Sequence, residues 1–249
     1  TDGRHAEVEF TNEWTEDASR RDFTINSIYA DKEGNLFDPH DGVKDLENGK
    51  VEFIGDPEKR VKEDYLRILR YIRFFLNYSK QDHGLNVKKI IKQNISGVTK
   101  LSKERLIDEL KKLVISNRFV EISEDKVCEE IILLIFPQLK NIDILKKLKK
   151  NYKNEILKKD FIFFLSLLII DETDNSEFFL YKYNMSNEAK KRINFLKEIY
   201  DKSNDKNTFS KNNLQKIFYF QGKSYLLDVI DFQLFRSNKK NNKLIELKK

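Results

Sequence analysis

Between Lys62 and Phe75 the chain reads KEDYLRILRYIRFF, which sets Glu63, Asp64, Arg67, Arg70 and Arg73 at short, regular steps among apolar positions. An ionised carboxylate only accepts hydrogen bonds and a guanidinium only donates them. Side by side they match a nucleobase edge that presents both donors and acceptors, as cytosine and adenine do. A helical wheel places Asp64 and Arg67 together at the border of an apolar stripe of Val61, Tyr65, Ile68, Leu69, Ile72, Phe75 and Leu76. Arg70 falls further round and Arg73 further still, which makes Asp64 with Arg67 the compact pair. An i,i+3 ion pair on a solvated face gives the same pattern and is worth only roughly a few tenths of a kcal/mol.

Positioning these groups requires a helix, and its start is readable. Asp56 is a good N-cap and Pro57 suits the first turn. Upstream, Arg20 to Ser27 reads RRDFTINS, ahead of a strand-like run from Thr24 to Ala30, and Asp38 to Pro57 reads DPHDGVKDLENGKVEFIGDP. Two fixed cations beside a carboxamide suit an anionic tail. The Gly- and Asp-rich stretch predicts a turn.

In this order and spacing the three blocks resemble motifs B, C and D of the class II tRNA nucleotidyltransferase family, the CCA-adding enzymes with the related bacterial poly(A) polymerases. Motif B matches Arg20, Arg21, Asp22, Phe23, Thr24 and Asn26, with Ser27 where Ala is usual; the resemblance implies that these residues hold the sugar and triphosphate of an incoming nucleotide. Motif C matches Asp41, Gly42, Asp45 and Leu46, implying a hinge between head and neck. Motif D matches Glu63, Asp64, Arg67, Arg70 and Arg73, implying that Asp64 and Arg67 read the base edges of CTP and ATP in place of a nucleic-acid template. The other arginines would brace the helix, orient neighbours or meet phosphate. The implied nucleotide-binding set is Arg20, Arg21, Asp22, Asn26, Asp64, Arg67 and Arg70. LSKERLIDELKKL, from Leu101 to Leu113, resembles motif E; Ser102 as N-cap, Leu101 with Leu106 as a staple and Glu104 in the first turn make its role structural.

The family's motif A, a Gly-Gly turn followed by metal-binding aspartates, has no counterpart in the sequence. Nucleotidyl transfer implies Mg²⁺, and the chain alone is therefore expected to be inactive. Asp2, Glu7 and Glu9, on a strand-like run from His5 to Phe10, read as an exposed strand face rather than ligands. A fragment, a split enzyme whose other polypeptide carries motif A, and an inactive remnant all fit.

Of the 249 residues, 39% are hydrophobic and 35% charged, with net charge +6. That exceeds the ~25% charge of ordinary domains and favours a polyanionic partner. Lys146, Lys147, Lys149 and Lys150, or Lys190, Lys191 and Arg192, could track an RNA backbone, although a solvated helix face gives the same clusters. The single cysteine, Cys128, excludes an internal disulfide and reads as a buried, reduced thiol. His5, His40 and His83 lack metal-ligand spacing. The longest apolar run, Phe161 to Ile170, is about half of a bilayer span, so no membrane association and a cytoplasmic location are expected.

The expected fold is α+β and predominantly α-helical: residues 1–50 the remnant of a nucleotidyltransferase α/β head, 51–115 a helical neck, and 116–249 a helical body and tail that binds RNA. Helices are predicted at 124–136, 143–152, 155–170, 176–183, 187–202, 211–220 and 223–235, with a break at Gly222, a fraying tail from Ser237, and Phe161, Phe163, Phe164, Phe178 and Phe179 in the core. The function implied is template-independent addition of CCA to the 3′ end of the tRNA acceptor arm from CTP and ATP. The alternatives are a poly(A) polymerase or a non-catalytic tRNA-binding subunit.

Overall fold

The apolar stripes resolve into twelve helices and one two-stranded ribbon in a computed structural model that describes residues 14–116, 118–205 and 207–237. The readings of Asp2, Glu7, Glu9 and the His5 to Phe10 run, of the tail beyond Ser237 and of the Lys149 side chain lie outside the described residues. The fold is α+β and mostly helical, as expected. It divides into two compact units, Thr1–Gly97 and Val98–Lys249, a boundary inside the segment 51–115.

In the first unit, α1 (Trp14–Arg20) leads into a 3₁₀ turn, Thr24–Asn26, and an antiparallel ribbon in which β1 (Tyr29–Ala30) pairs with β2 (Leu36–Phe37), Tyr29 opposite Phe37. The strand anticipated from Thr24 to Ala30 is thus only its last two residues. The Ser27 hydroxyl donates to the Thr24 carbonyl at 2.8 Å, a local bond that favours the turn over an extended ladder. Helix α2 (Gly42–Glu47) starts where the Asp38 carboxylate takes the amides of Gly42 and Val43, each at 2.8 Å. Asp56 caps α3 (Pro57–Glu63) by accepting from the Lys59 amide at 2.7 Å.

The helix then stops. Asp64 is extended (φ −150°, ψ 105°), and α4 (Leu66–Tyr78) begins after Tyr65. The wheel that ran unbroken through Asp64 is corrected here, and two contacts explain the break. The Asp64 carboxylate accepts from the Leu66 amide at 3.1 Å, competing with the helical bond. The Tyr65 ring lies so close to Gly97 that a Cβ there would sit 2.1 Å from it. Downstream of the break, α4 buries Ile68, Leu69, Tyr71, Ile72 and Phe74, and Phe23 meets Phe53 and Phe74 at ring separations of 4.7 and 5.0 Å. Helix α5 (Leu85–Asn94) completes the unit and packs on α3.

The second unit holds α6 (Lys103–Val114), α7 (Lys126–Ile135), α8 (Ile144–Ile156), α9 (Phe161–Ile169), α10 (Asn175–Lys182), α11 (Asn187–Asp201) and α12 (Lys211–Arg236). Side chains of Ser102, Asp125, Asp160, Ser186 and Ser210 cap five of them, each such cap being worth about 1 kcal/mol. Asp160 also splits the helix expected at 155–170 into the end of α8 and the start of α9. Helix α9 is buried at every position but Ile162, which is half-buried. Gly222 (φ 87°, ψ 176°) interrupts α12 where the sequence placed a break. Phe161, Phe163, Phe164 and Phe179 are core as predicted, whereas Phe178 is 52% exposed because α10 turns it away from the buried side. Burial pushes the Cys128 thiol well above its ordinary pKa, with the Asp125 carboxylate adding to it. No helix among the described residues is long and apolar enough to cross a membrane.

Candidate functional site

The RRDFTIN segment is fixed first by its backbone. The Thr24 amide donates to the Glu52 carbonyl at 3.1 Å and the Ile54 amide to the Asp22 carbonyl at 3.0 Å, flanking a bridge between Phe23 and Phe53. That pairing aims Asp22 at α4. Its carboxylate, 4% exposed, accepts from Arg70 Nε, from Asn26 Nδ2 at 3.0 Å and from the Phe23 amide at 3.2 Å. Burial would raise the Asp22 pKa, but the hydrogen bond and charge of Arg70, helped by Asn26, outweigh it and hold the carboxyl below the usual range. Asp22, Asn26 and Arg70 therefore form one cluster from motifs 48 residues apart in sequence.

Arg20 and Arg21 share a different carboxylate. Asp17 on α1 lies 3.0 Å from Arg20 and 2.8 Å from Arg21, and accepts the Tyr29 hydroxyl at 2.6 Å. The Tyr29 hydrogen bond first, then Arg21, lowers the Asp17 pKa. Both guanidinium groups stay on the surface, where their remaining donors can meet an anion. Asp17 and Tyr29 were missed by the sequence reading. The signal for Asp17 was present, since it stands three and four residues before two arginines on a helix.

Motif C locks onto motif B. The Thr24 hydroxyl donates to Asp45 at 2.7 Å, and a Cβ on Gly42 would lie 2.2 Å from the Thr24 carbonyl oxygen. Backbone cannot yield as a flexible side chain can. Gly42→Ala should therefore cost about 1–3 kcal/mol, read as a lower urea midpoint in the fluorescence of Trp14, the only tryptophan; an unchanged midpoint would refute the contact.

Around the α3–α4 break, Arg67 Nη1 donates to Glu63 at 2.8 Å and to the Arg60 carbonyl at 2.7 Å, and its side chain is 14% exposed. The hydrogen bond from Arg67 lowers the pKa of Glu63 against the burial penalty, and the charge of Arg60 adds to the lowering. Asp64 stands at the break itself. Arg73 lies over the Phe74 ring at 4.8 Å.

The carboxylates of this cluster do not suit a divalent metal. Asp22 is committed to Arg70, Asp17 to Arg20 and Arg21, and Glu63 to Arg60 and Arg67. Each already has its cation.

In the second unit, Arg192 does not line up with Lys190 and Lys191 on a solvated face. It is 19% exposed and binds Asp228 and Asp160, each at 2.7 Å. Lys146 pairs with Asp143 at 3.0 Å, and Lys147 donates to the Ser237 carbonyl.

Residues 1–52 match the Poly A polymerase head domain. The chain is 49% identical to human CCA tRNA nucleotidyltransferase 1, mitochondrial, over 119 residues, which are 47% of this chain and 27% of that protein. It is 31% identical to the CCA-adding enzyme of Staphylococcus haemolyticus over 229 residues, 91% of this chain and 54% of the relative. The chain thus spans about a quarter to about half of the relatives it matches. Its fold is similar to that of the Bacillus stearothermophilus CCA-adding enzyme in complex with CTP, with a TM-score of 0.74 at 21% identity over 99% of this chain and 60% of that one. A Thermotoga maritima CCA-adding enzyme complexed with tRNA gives a TM-score of 0.64 at 18% identity, over 94% of this chain and 60% of that one.

Proposed function

For a chain that belongs to the class II tRNA nucleotidyltransferase family, we propose that residues 14–97 are the nucleotide-selecting part of an enzyme that adds CCA to tRNA 3′ ends. The observation that carries this reading is the junction of the RRDFTIN and EDYLRILR blocks: Asp22 holds Arg70, while Arg67 is oriented by Glu63 and the Arg60 carbonyl.

Cytosine and adenine share an exocyclic amine beside an unprotonated ring nitrogen; uracil and guanine present a carbonyl beside a ring N–H. A carboxylate from Asp64 accepting from the amine and a guanidinium from Arg67 donating to the ring nitrogen would admit the first pair and refuse the second. Arg20 and Arg21 would meet the triphosphate. Asn26 and Arg70 would keep Asp22, and with it the segment's backbone, in register.

The chemistry that Mg²⁺ would supply is Lewis-acid activation of the primer hydroxyl and charge stabilisation of the pyrophosphate. Its ligands would come from sequence outside this chain, including a separate polypeptide with motif A. Segments 1–50, 51–115 and 116–249 would serve as head portion, neck, and body with tail, the last gripping the tRNA acceptor arm through backbone and shape. We assign the reaction to the cytoplasm; the human relative's name places that protein in mitochondria.

Equilibrium dialysis tests the selection. Arg67→Ala and Asp64→Ala should each weaken CTP and ATP binding about 10–100-fold, the worth of a charge-assisted hydrogen bond, and leave UTP unchanged. Unchanged CTP and ATP affinity in folded variants would sink the template role. For the reaction, labelled CTP and ATP are offered with Mg²⁺ to a tRNA lacking CCA, using the chain alone and with a motif A segment. Incorporation is expected only in the mixture. The similarity of residues 1–52 to the Poly A polymerase head domain supports a second reading, and product sequencing separates a stop at CCA from a long A tract.

A further inference from the structure

Arg60 carries none of the motif positions, yet it touches both halves of the cluster. Its side chain is 13% exposed. Nη2 donates to the backbone carbonyl of Arg20 at 2.9 Å and to that of Arg21, and Nη1 donates to Glu63 at 2.7 Å. Its own carbonyl and the same Glu63 oxygen accept from Arg67 Nη1. The side chain thus holds the peptide groups of the two motif B arginines, while the main chain holds the motif D arginine.

We propose that Arg60 is a positioning residue that couples the triphosphate-facing arginines Arg20 and Arg21 to the base-reading Arg67, so that the two halves of a nucleotide are recognised at one fixed separation. The proposal rests on the nucleotide-selecting reading above. Carbonyl oxygens only accept, and two neighbouring carbonyls together with a carboxylate need donors spread across a plane. A guanidinium supplies them; a lysine ammonium offers three donors about one atom and can keep Glu63 while releasing the carbonyls. The fold does not depend on this bond alone, because motif B is also pinned by the Phe23–Phe53 bridge and by Asp22 on Arg70. What Arg60 adds is register between the two sets of arginines.

The test uses the full chain with Arg60→Lys, and Arg60→Gln as a second variant should the lysine not fold. Two readouts are taken: amide exchange at residues 20–22, and affinities for CTP, UTP and inorganic triphosphate. Arg60→Lys should retain the parent circular dichroism, speed exchange at residues 20–22 at least about tenfold, and weaken CTP about tenfold while narrowing its lead over UTP. Arg67→Ala should narrow that lead without changing exchange at residues 20–22. A merely structural ion pair with Glu63 would be rescued by lysine. Parent-like exchange and CTP affinity in Arg60→Lys would overturn the proposal. If the parent chain itself fails to distinguish CTP from UTP, the selection reading fails, and accelerated or unaltered exchange still decides whether Arg60 is the tether.

Discussion

Replacing Asp22 with alanine is expected to lower the unfolding free energy by about 3–5 kcal/mol, the cost of stranding one partner of a buried ion pair. Arg70, 26% exposed on its side chain, would lose this carboxylate, and Asn26 and the Phe23 amide would lose the same acceptor. Trp14 stacks on Tyr29 at 5.8 Å and sits in the same unit, so its fluorescence reports the transition. Asp22→Asn should cost less, because an amide oxygen still accepts although the charge is gone. If the pair is the cause, Arg70→Met should add little to Asp22→Asn; full additivity would refute the coupling.

The same pair fixes an acid dependence. The folded-state pKa of Asp22 is depressed below its unfolded value, so the stabilisation is complete above the unfolded pKa, about 4, and is lost as pH falls through the folded pKa. The parent should therefore lose stability progressively below about pH 4, and Asp22→Asn should show a shallower loss over that window. Equal slopes would mean that other carboxylates govern acid unfolding.

How much of this was legible depends on the distance over which each signal acts. Caps are local, and Asp56, Ser102, Asp125, Asp160, Ser186 and Ser210 announce helix starts from the sequence or complete them in the structure. The four motif blocks were legible as contiguous text. The partners of their side chains were not. Arg60 reaches carbonyls 39 and 40 residues away, and a backbone acceptor leaves no trace in residue type. The break at Asp64 was hidden for a similar reason: a wheel assumes an unbroken helix, while the Tyr65 ring against Gly97 is a contact between positions 32 apart in the chain, which no local window contains. Thr24 misled through its β propensity, which the Asp45 hydrogen bond and the Ser27 turn override. Arg192 looked like part of a basic surface because its carboxylates come from other helices.

Those carboxylates support the second large effect. Asp228→Ala should destabilise the second unit by about 3–5 kcal/mol. Asp228 is 4% exposed, accepts from Arg192 Nε at 2.7 Å and lies 3.8 Å from Lys159 Nζ, which also reaches Asp231 at 2.6 Å. Without it, Arg192 keeps, among the described residues, only Asp160, whose side chain is 58% exposed and so offers a far weaker, better screened attraction. Burial disfavours the Arg192 cation, but the hydrogen bonds it donates to Asp228 and then to Asp160 more than offset this and raise its pKa, so the arginine stays charged and cannot escape the cost by losing its proton. Trp14 belongs to the first unit, whereas Cys128 is a buried residue of the second, and the rate at which a thiol reagent labels that cysteine in urea reports its opening. The midpoint for Cys128 labelling should fall in Asp228→Ala. Asp160→Ala, losing a cap and an exposed pair, should cost only about 1–2 kcal/mol. Equal losses from Asp160→Ala and Asp228→Ala would show that burial of the ion pair is not what makes Asp228 costly to remove.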